Sequence, residues 1–182
     1  MSQHPILKSL RVKLSKEAYV NAERMFADAK LFIETVVKIK DKKTKRLIPF
    51  KLNEEQEELL RALLTYNRII IYKSRQIGIS TLLRAYAFWK SYTSVHPIHC
   101  IVMGTHSANL RTMWGITKTI HDGLPTFLQR KLSKYNESEL IYEDTKAMLS
   151  VWTAGSRFGT RGTEASFVHL TEFAFYENQS EV

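Results

Sequence analysis

Four short apolar runs set the limits on how this chain can fold. They are Arg68-Ile69-Ile70-Ile71-Tyr72, His99-Cys100-Ile101-Val102-Met103-Gly104, Ala147-Met148-Leu149-Ser150-Val151-Trp152 and Ser166-Phe167-Val168-His169-Leu170. Near-continuous apolar runs of this length read as strands buried on both faces. Residues 82–92 follow the first run and residues 107–121 follow the second, both with helical spacing of apolar positions. Strands alternating with helices predict an α/β fold, a parallel sheet with helices packed on it. A sheet of that kind takes its ligand at the carboxyl ends of the strands.

Ahead of this core, Leu14, Ala18, Ala22, Met25, Phe26 and Phe32 fall at helical spacing, predicting one helix over residues 14–33. Two β-prone runs, residues 35–40 and 46–50, flank the polar segment Asp41-Lys42-Lys43-Thr44-Lys45 and predict a hairpin. Its lysine-dense tip reads first as a solvated turn, with contact to a DNA backbone as the alternative. Asn53 is placed to cap a helix over residues 54–64, whose first turn is acidic. The stretch before Ala147 shows no clear pattern. The organisation expected is an N-terminal helix and hairpin segment over 1–48 and a core over 49–182.

Composition narrows the partners. The formal net charge is +9 and the pI about 9.6, a balance that attracts polyanions, whether nucleic acid or nucleotide. With 44% hydrophobic and 25% charged residues the chain is not of disordered composition. No apolar run approaches the roughly 18 residues of a membrane span, and the polar start Met1-Ser2-Gln3-His4-Pro5 is no signal peptide. The one cysteine, Cys100, makes neither an internal disulfide nor a cysteine metal site; it reads as a small buried hydrophobe in an intracellular protein.

The segment between the first apolar run and its helix carries the chemistry: Lys73-Ser74-Arg75-Gln76-Ile77-Gly78-Ile79-Ser80-Thr81. A buried strand, a tight loop and a helix opening on Ser-Thr form a cradle for polyphosphate, because loop N–H groups and the helix N-terminus point at the anion. Gly78 lets the backbone approach the phosphates. Ser80, or else Thr81, supplies a hydroxyl for magnesium. The phosphate-loop pattern G-x-x-x-x-G-K-[ST] is met imperfectly. Ser74 replaces its first glycine and Ile79 its lysine, so the cation must come from Lys73 or Arg75. An ordinary strand-to-helix turn is the plainer reading of the same residues.

Three further features lie where such a site needs them. Gln56 can read both edges of an adenine, although a surface glutamine is the simpler reading. Glu172 ends an apolar strand, where ATP hydrolysis needs a carboxylate to orient water. Thr171 stands where an aspartate usually holds magnesium through water, and its hydroxyl is the candidate to hold a metal-bound water there, more weakly than a carboxylate. His169 has no metal-ligand companions. In Gly155-Ser156-Arg157-Phe158-Gly159-Thr160-Arg161-Gly162, Arg161 and then Arg157 are candidates to meet charge developing on a γ-phosphoryl group, or else to contact DNA phosphate.

The set Phe50-x-Leu52-x-x-x-Gln56, Ser74-Arg75-Gln76-x-Gly78-x-Ser80-Thr81, Thr160-Arg161-Gly162 and Val168-His169-Leu170-Thr171-Glu172-Phe173-Ala174-Phe175 resembles the ATPase domain of the terminase large subunit of tailed bacteriophages. Lys73 matches members of that family that carry the lysine at the start of the loop. Residues 101–105 followed by Ala108 resemble a further helicase-like motif. The resemblance implies a P-loop NTPase core of the ASCE/RecA-like kind, ATP and Mg2+ as cofactors, Lys73 and Glu172 as catalytic groups, and Arg161 as a finger acting on a neighbouring subunit. It also implies a pentameric ring on a portal, a small terminase subunit and double-stranded DNA as partners, and work in the host cell cytoplasm. In the family a coupling motif, more strands and a nuclease domain follow this point, so a truncated chain, a fragment or a split gene is expected. Two other readings stand beside it. One is a helicase-like DNA-dependent ATPase; the other is a degenerate P-loop domain that binds DNA without turnover.

Overall fold

In the computed structural model, residues 6–7, 15–41, 43–72, 78–154 and 164–173 are described. The chain enters through two helices, α1 (Lys16–Ala27) and α2 (Ala29–Val36), then a two-stranded ribbon, β1 (Lys38–Lys40) and β2 (Leu47–Pro49). Helix α3 (Glu54–Thr65) and the central helix α4 (Ile79–Thr93) follow. Next come β3 (His99–Gly104), α5 (Ser107–Asp122), β4 (Leu132–Tyr135), β5 (Glu139–Tyr142), β6 (Met148–Thr153) and β7 (Phe167–Leu170). The fold is α/β: five strands in the order β4-β5-β6-β3-β7, flanked by helices. Among the described residues no helix is long and apolar enough to cross a membrane.

The sheet corrects the expected parallel arrangement to a mixed one. Strand β3 runs parallel to both β6 and β7, but β4 and β5 form an antiparallel hairpin against β6. The hairpin sits in the stretch that showed no clear pattern. Its turn is made by Asn136, whose side-chain oxygen accepts from the N–H groups of Ser138 and Glu139, both at 2.8 Å. Antiparallel neighbours need only such a tight turn, whereas parallel ones need a crossover.

A second correction concerns residues 68–72. Ile69 and Ile71 pack against the core while Arg68, Ile70 and Tyr72 face outward, the period-two pattern of a strand. Yet among the described residues the segment is in no ladder, and β7 ends the strand order. The sequence supplies strand-like patterning here, but none of the described strands lies alongside to accept its hydrogen bonds. The single helix expected over 14–33 is two. Asp28 closes α1 through its backbone N–H and opens α2 with its side chain, which accepts from Leu31 N–H at 3.0 Å. A short acceptor side chain competes with the backbone for hydrogen bonds, so it favours a cap over a helix interior.

Helix α4 is buried along nearly its whole length, between the sheet and the helices before it. Its Phe88 and Tyr92 join Phe26 of α1, Phe32 of α2 and Tyr142 of β5 in one aromatic cluster, with Tyr92 within 5.4–5.9 Å of the other four ring centroids. The N-terminal helices therefore belong to the same hydrophobic core as the sheet. Tyr92 also donates its hydroxyl to Leu128 C=O at 2.7 Å. One turn back from the middle of α4, Arg84 is fully buried, with Thr117 of α5 accepting from its Nε at 3.0 Å. Burial lowers the Arg84 guanidinium to about 10, so it stays charged at neutral pH.

Candidate functional site at the carboxyl ends of the strands

Helix α4 ends at Thr93, just before β3 begins at His99, so its C-terminus lies at the amino end of the sheet. A helix of 15 residues is about 22 Å long, which carries its N-terminus back to the carboxyl end. Helix α5 begins directly after the carboxyl end of β3. The N-termini of both helices thus gather where β3, β6 and β7 finish, the place predicted for a ligand.

Gly78 caps α4 with a left-handed backbone, φ 75°, that disfavours other residues. A Cβ at Gly78 would lie 2.7 Å from Gln56 Nε2, so the end of that side chain would have to shift. Among the described residues no side chain caps this helix; Thr81 N–H donates to Gly78 C=O at 3.1 Å, and the N–H groups of Ile79 and Ser80 are the ones an anion would meet. Ile79, at the position where a phosphate-loop lysine would stand, is buried in the core at 5% exposure. Its side chain points away from any ligand at the helix start, so that position delivers no cation here. Ser80 and Thr81 are half-buried on the first turn. Lys73, Ser74, Arg75 and Gln76 lie outside the described residues, as do Arg157 and Arg161. The chain leaves β6 at Ala154, whose N–H donates to Gly104 C=O at 2.9 Å, again at the carboxyl end.

Gln56 is buried, and its first task is structural. Its Oε1 accepts from Asn53 N–H at 3.1 Å while Asn53 Oδ1 accepts from Gln56 N–H at 2.9 Å, a reciprocal capping box at the start of α3. The expected Asn53 cap is therefore present. The oxygen that would accept from an adenine amino group is already engaged; the amide nitrogen faces Gly78.

At the end of β7 the chain turns sharply. Thr171 is buried, with its N–H on Met103 C=O at 2.9 Å. Its methyl packs on Gly104, where a Cβ would come within 2.9 Å. Glu172 then takes φ 57°, a left-handed conformation that costs a non-glycine residue on the order of 1 kcal/mol. The turn throws its carboxylate outward, and Asn109 in the first turn of α5 donates Nδ2–H to Glu172 Oε2 at 2.8 Å. Strained backbone held by a specific partner is characteristic of functional corners. His169 is half-buried within β7 opposite Val102, and no group of three metal-ligating side chains occurs among the described residues.

Sequence reasoning missed two residues of this corner. Asn109 was visible only as a polar residue in a helical run, and nothing in the sequence connects it to Glu172, 63 positions away. Thr105, just past β3, has a buried Oγ1 without a hydrogen-bond partner among the described residues. Buried hydroxyls of this kind are uncommon. Compared with known proteins, the chain matches no family model and no curated sequence.

Proposed function

We propose that this chain is the ATPase part of a DNA-translocating motor of the viral terminase type. It would hydrolyse ATP and pass double-stranded DNA into a procapsid from the host cytoplasm. The observation that carries the reading is Glu172. Its carboxylate projects from the end of β7 in a strained backbone and is steadied by Asn109, at the end of the sheet where α4 and α5 begin. A carboxylate so placed suits the task of orienting an attacking water. The uncapped start of α4 at Gly78 would take the phosphates, with Lys73 or Arg75 supplying the cation that Ile79 does not. Bound Mg2+ would neutralise phosphate charge, with the Ser80 hydroxyl as its protein ligand. Thr171 serves this end of the site by packing against Gly104. Arg161 would act across a subunit boundary in a homo-oligomeric ring.

Two observations favour a second reading, a phosphate-loop domain that binds DNA without turnover: the inward-facing Ile79 and the burial of Thr171. ATP turnover with and without double-stranded DNA separates the two. DNA-stimulated turnover is expected, with Glu172→Gln lowering kcat by at least about 100-fold while nucleotide binding survives. Asn109→Ala is expected to lower kcat by about 10- to 100-fold through loss of aim. DNA binding without turnover under any condition would overturn the motor and leave the second reading.

A further inference from the structure

The β1–β2 ribbon takes no part in the corner described above. Lys38, Lys40, Lys43, Lys45 and Arg46 are all exposed on it, five cations within nine residues. The acidic residue among them, Asp41, is folded into the turn, where its Oδ1 accepts from Thr44 N–H at 2.6 Å and from the Thr44 hydroxyl at 2.7 Å. The turn is closed by Asp41 N–H on Arg46 C=O at 2.9 Å and Lys45 N–H on Asp41 C=O at 3.0 Å. Lys45 adopts a left-handed backbone, φ 60°.

The base of the ribbon is fixed. Val37 and Phe50 are buried, and Phe50 N–H donates to Val37 C=O at 3.0 Å. Pairing puts Ile39 opposite Ile48 on one face and Lys38 and Lys40 opposite Pro49 and Leu47 on the other. Ile39 packs against the core, which turns the lysine face outward. Lys38 and Lys40 are about 6.8 Å apart along the strand, two rises of a B-DNA strand at about 3.4 Å each. The ribbon also meets the far end of α5, where a Cβ on Gly123 would be 3.8 Å from Lys38 Cβ. Lys118 lies one turn up that helix, and Asp122 at its end is engaged by the Tyr135 hydroxyl at 2.8 Å and by His121.

We infer that this ribbon is a contact surface for the phosphate backbone of double-stranded DNA. A two-stranded ribbon has a size the major groove admits. Lysines bind phosphate as point charges without reading bases, so the contact is independent of sequence, as a protein that moves along DNA requires. The inference rests on the reading of DNA as the partner but not on ATP hydrolysis.

The test is the salt dependence of binding to a duplex of about 30 base pairs. Three proteins are compared: the unaltered chain, Lys40→Gln/Lys43→Gln/Arg46→Gln on the ribbon, and Lys16→Gln/Lys131→Gln/Lys146→Gln, which removes the same charge elsewhere. Each lost phosphate contact flattens the slope of log K against log salt by about 0.9. The ribbon variant should therefore lose about 2 to 3 from the slope and about 10- to 100-fold in affinity at low salt, with an unchanged melting temperature. The control should change little. Duplex binding with the same slope in the ribbon variant, or an equal loss in the control, overturns the inference. No duplex binding by any of the three overturns the DNA reading itself. Stronger ribbon-dependent binding to phosphatidylserine vesicles than to duplex would reassign the surface to a membrane.

Discussion

The two edges of the five-stranded sheet are built in opposite ways. At one edge, β4 and β5 close as a hairpin over a dense polar and aromatic cluster. The Arg130 side chain is 1% exposed and lies over the Tyr142 ring at 4.3 Å and the Tyr92 ring at 5.7 Å. It donates to Tyr92 C=O, Asp144 and Thr145. At the other edge β7, like β4, has no outer partner among the described residues, and Val168 is 46% exposed. Residues 68–72 show the same openness, with Ile70 at 99% and Tyr72 at 104% exposure. The open side also holds Glu172 and Gly78. Among the described residues the buried polar and aromatic cluster lies at the hairpin edge, and the candidate site residues Gly78 and Glu172 lie on the other side.

Three substitutions can break or sharpen this contrast. The largest effect is expected of Arg130→Met at the closed edge. It removes three hydrogen bonds of a buried guanidinium and leaves Asp144, 37% exposed, without its charge partner, which costs about 1–3 kcal/mol, readable as a fall in the urea midpoint. A change under about 1 kcal/mol would show that the cluster does not anchor the sheet.

The closed edge should also fail first in alkali. Burial pushes the hydroxyls of Tyr92 and Tyr142 up, with the Arg130 charge opposing it. Both groups therefore contribute stability that is fully present below their unfolded value near pH 10 and is lost as pH rises towards their folded values. At pH 10.5 each such tyrosine costs about 0.8 kcal/mol. Tyr142→Phe should recover its share there. At pH 7 it should alter stability by less than about 0.5 kcal/mol, since its hydroxyl has no hydrogen-bond partner among the described residues. An alkaline loss of the same size in wild type and Tyr142→Phe would remove this tyrosine from the account. The smallest effect is expected of Ile70→Ser at the open side, within about 0.5 kcal/mol. A loss above 1.5 kcal/mol, roughly that of a buried side chain, would mean that the open side is covered in solution.

The closed edge was also the less legible one. Strand β3 and helix α5 follow from the sequence almost to the residue, the strand because its apolar run is near-continuous and the helix because it is long enough to show a period. Strands β4 and β5 have four residues each, and β4 offers only Leu132 and Tyr135 as apolar positions, too few to declare alternation. The open side was over-read for the converse reason. Residues 68–72 have the composition of a buried strand, but a ladder depends on what lies alongside, which composition does not encode. Near the candidate site, the turn at Gly78 and the Asn53 cap were legible because local backbone chemistry favours those residue types there. Asn109 and the capping task of Gln56 were not, since each depends on which neighbour the side chain meets.

The exposed side chains of Ile70 and Tyr72, and the edge of β7 that is unpaired among the described residues, bear on how the protein behaves in concentrated solution. Neighbouring copies offer each other an open backbone edge and greasy side chains, the ingredients of edge-to-edge association. A net charge of +9 holds the copies apart by mutual repulsion. That repulsion reaches about 30 Å at 0.01 M salt and only about 3 Å at 1 M. Salt, the usual remedy for keeping a basic protein dispersed, would here remove the barrier to clumping and strengthen the apolar attraction as well.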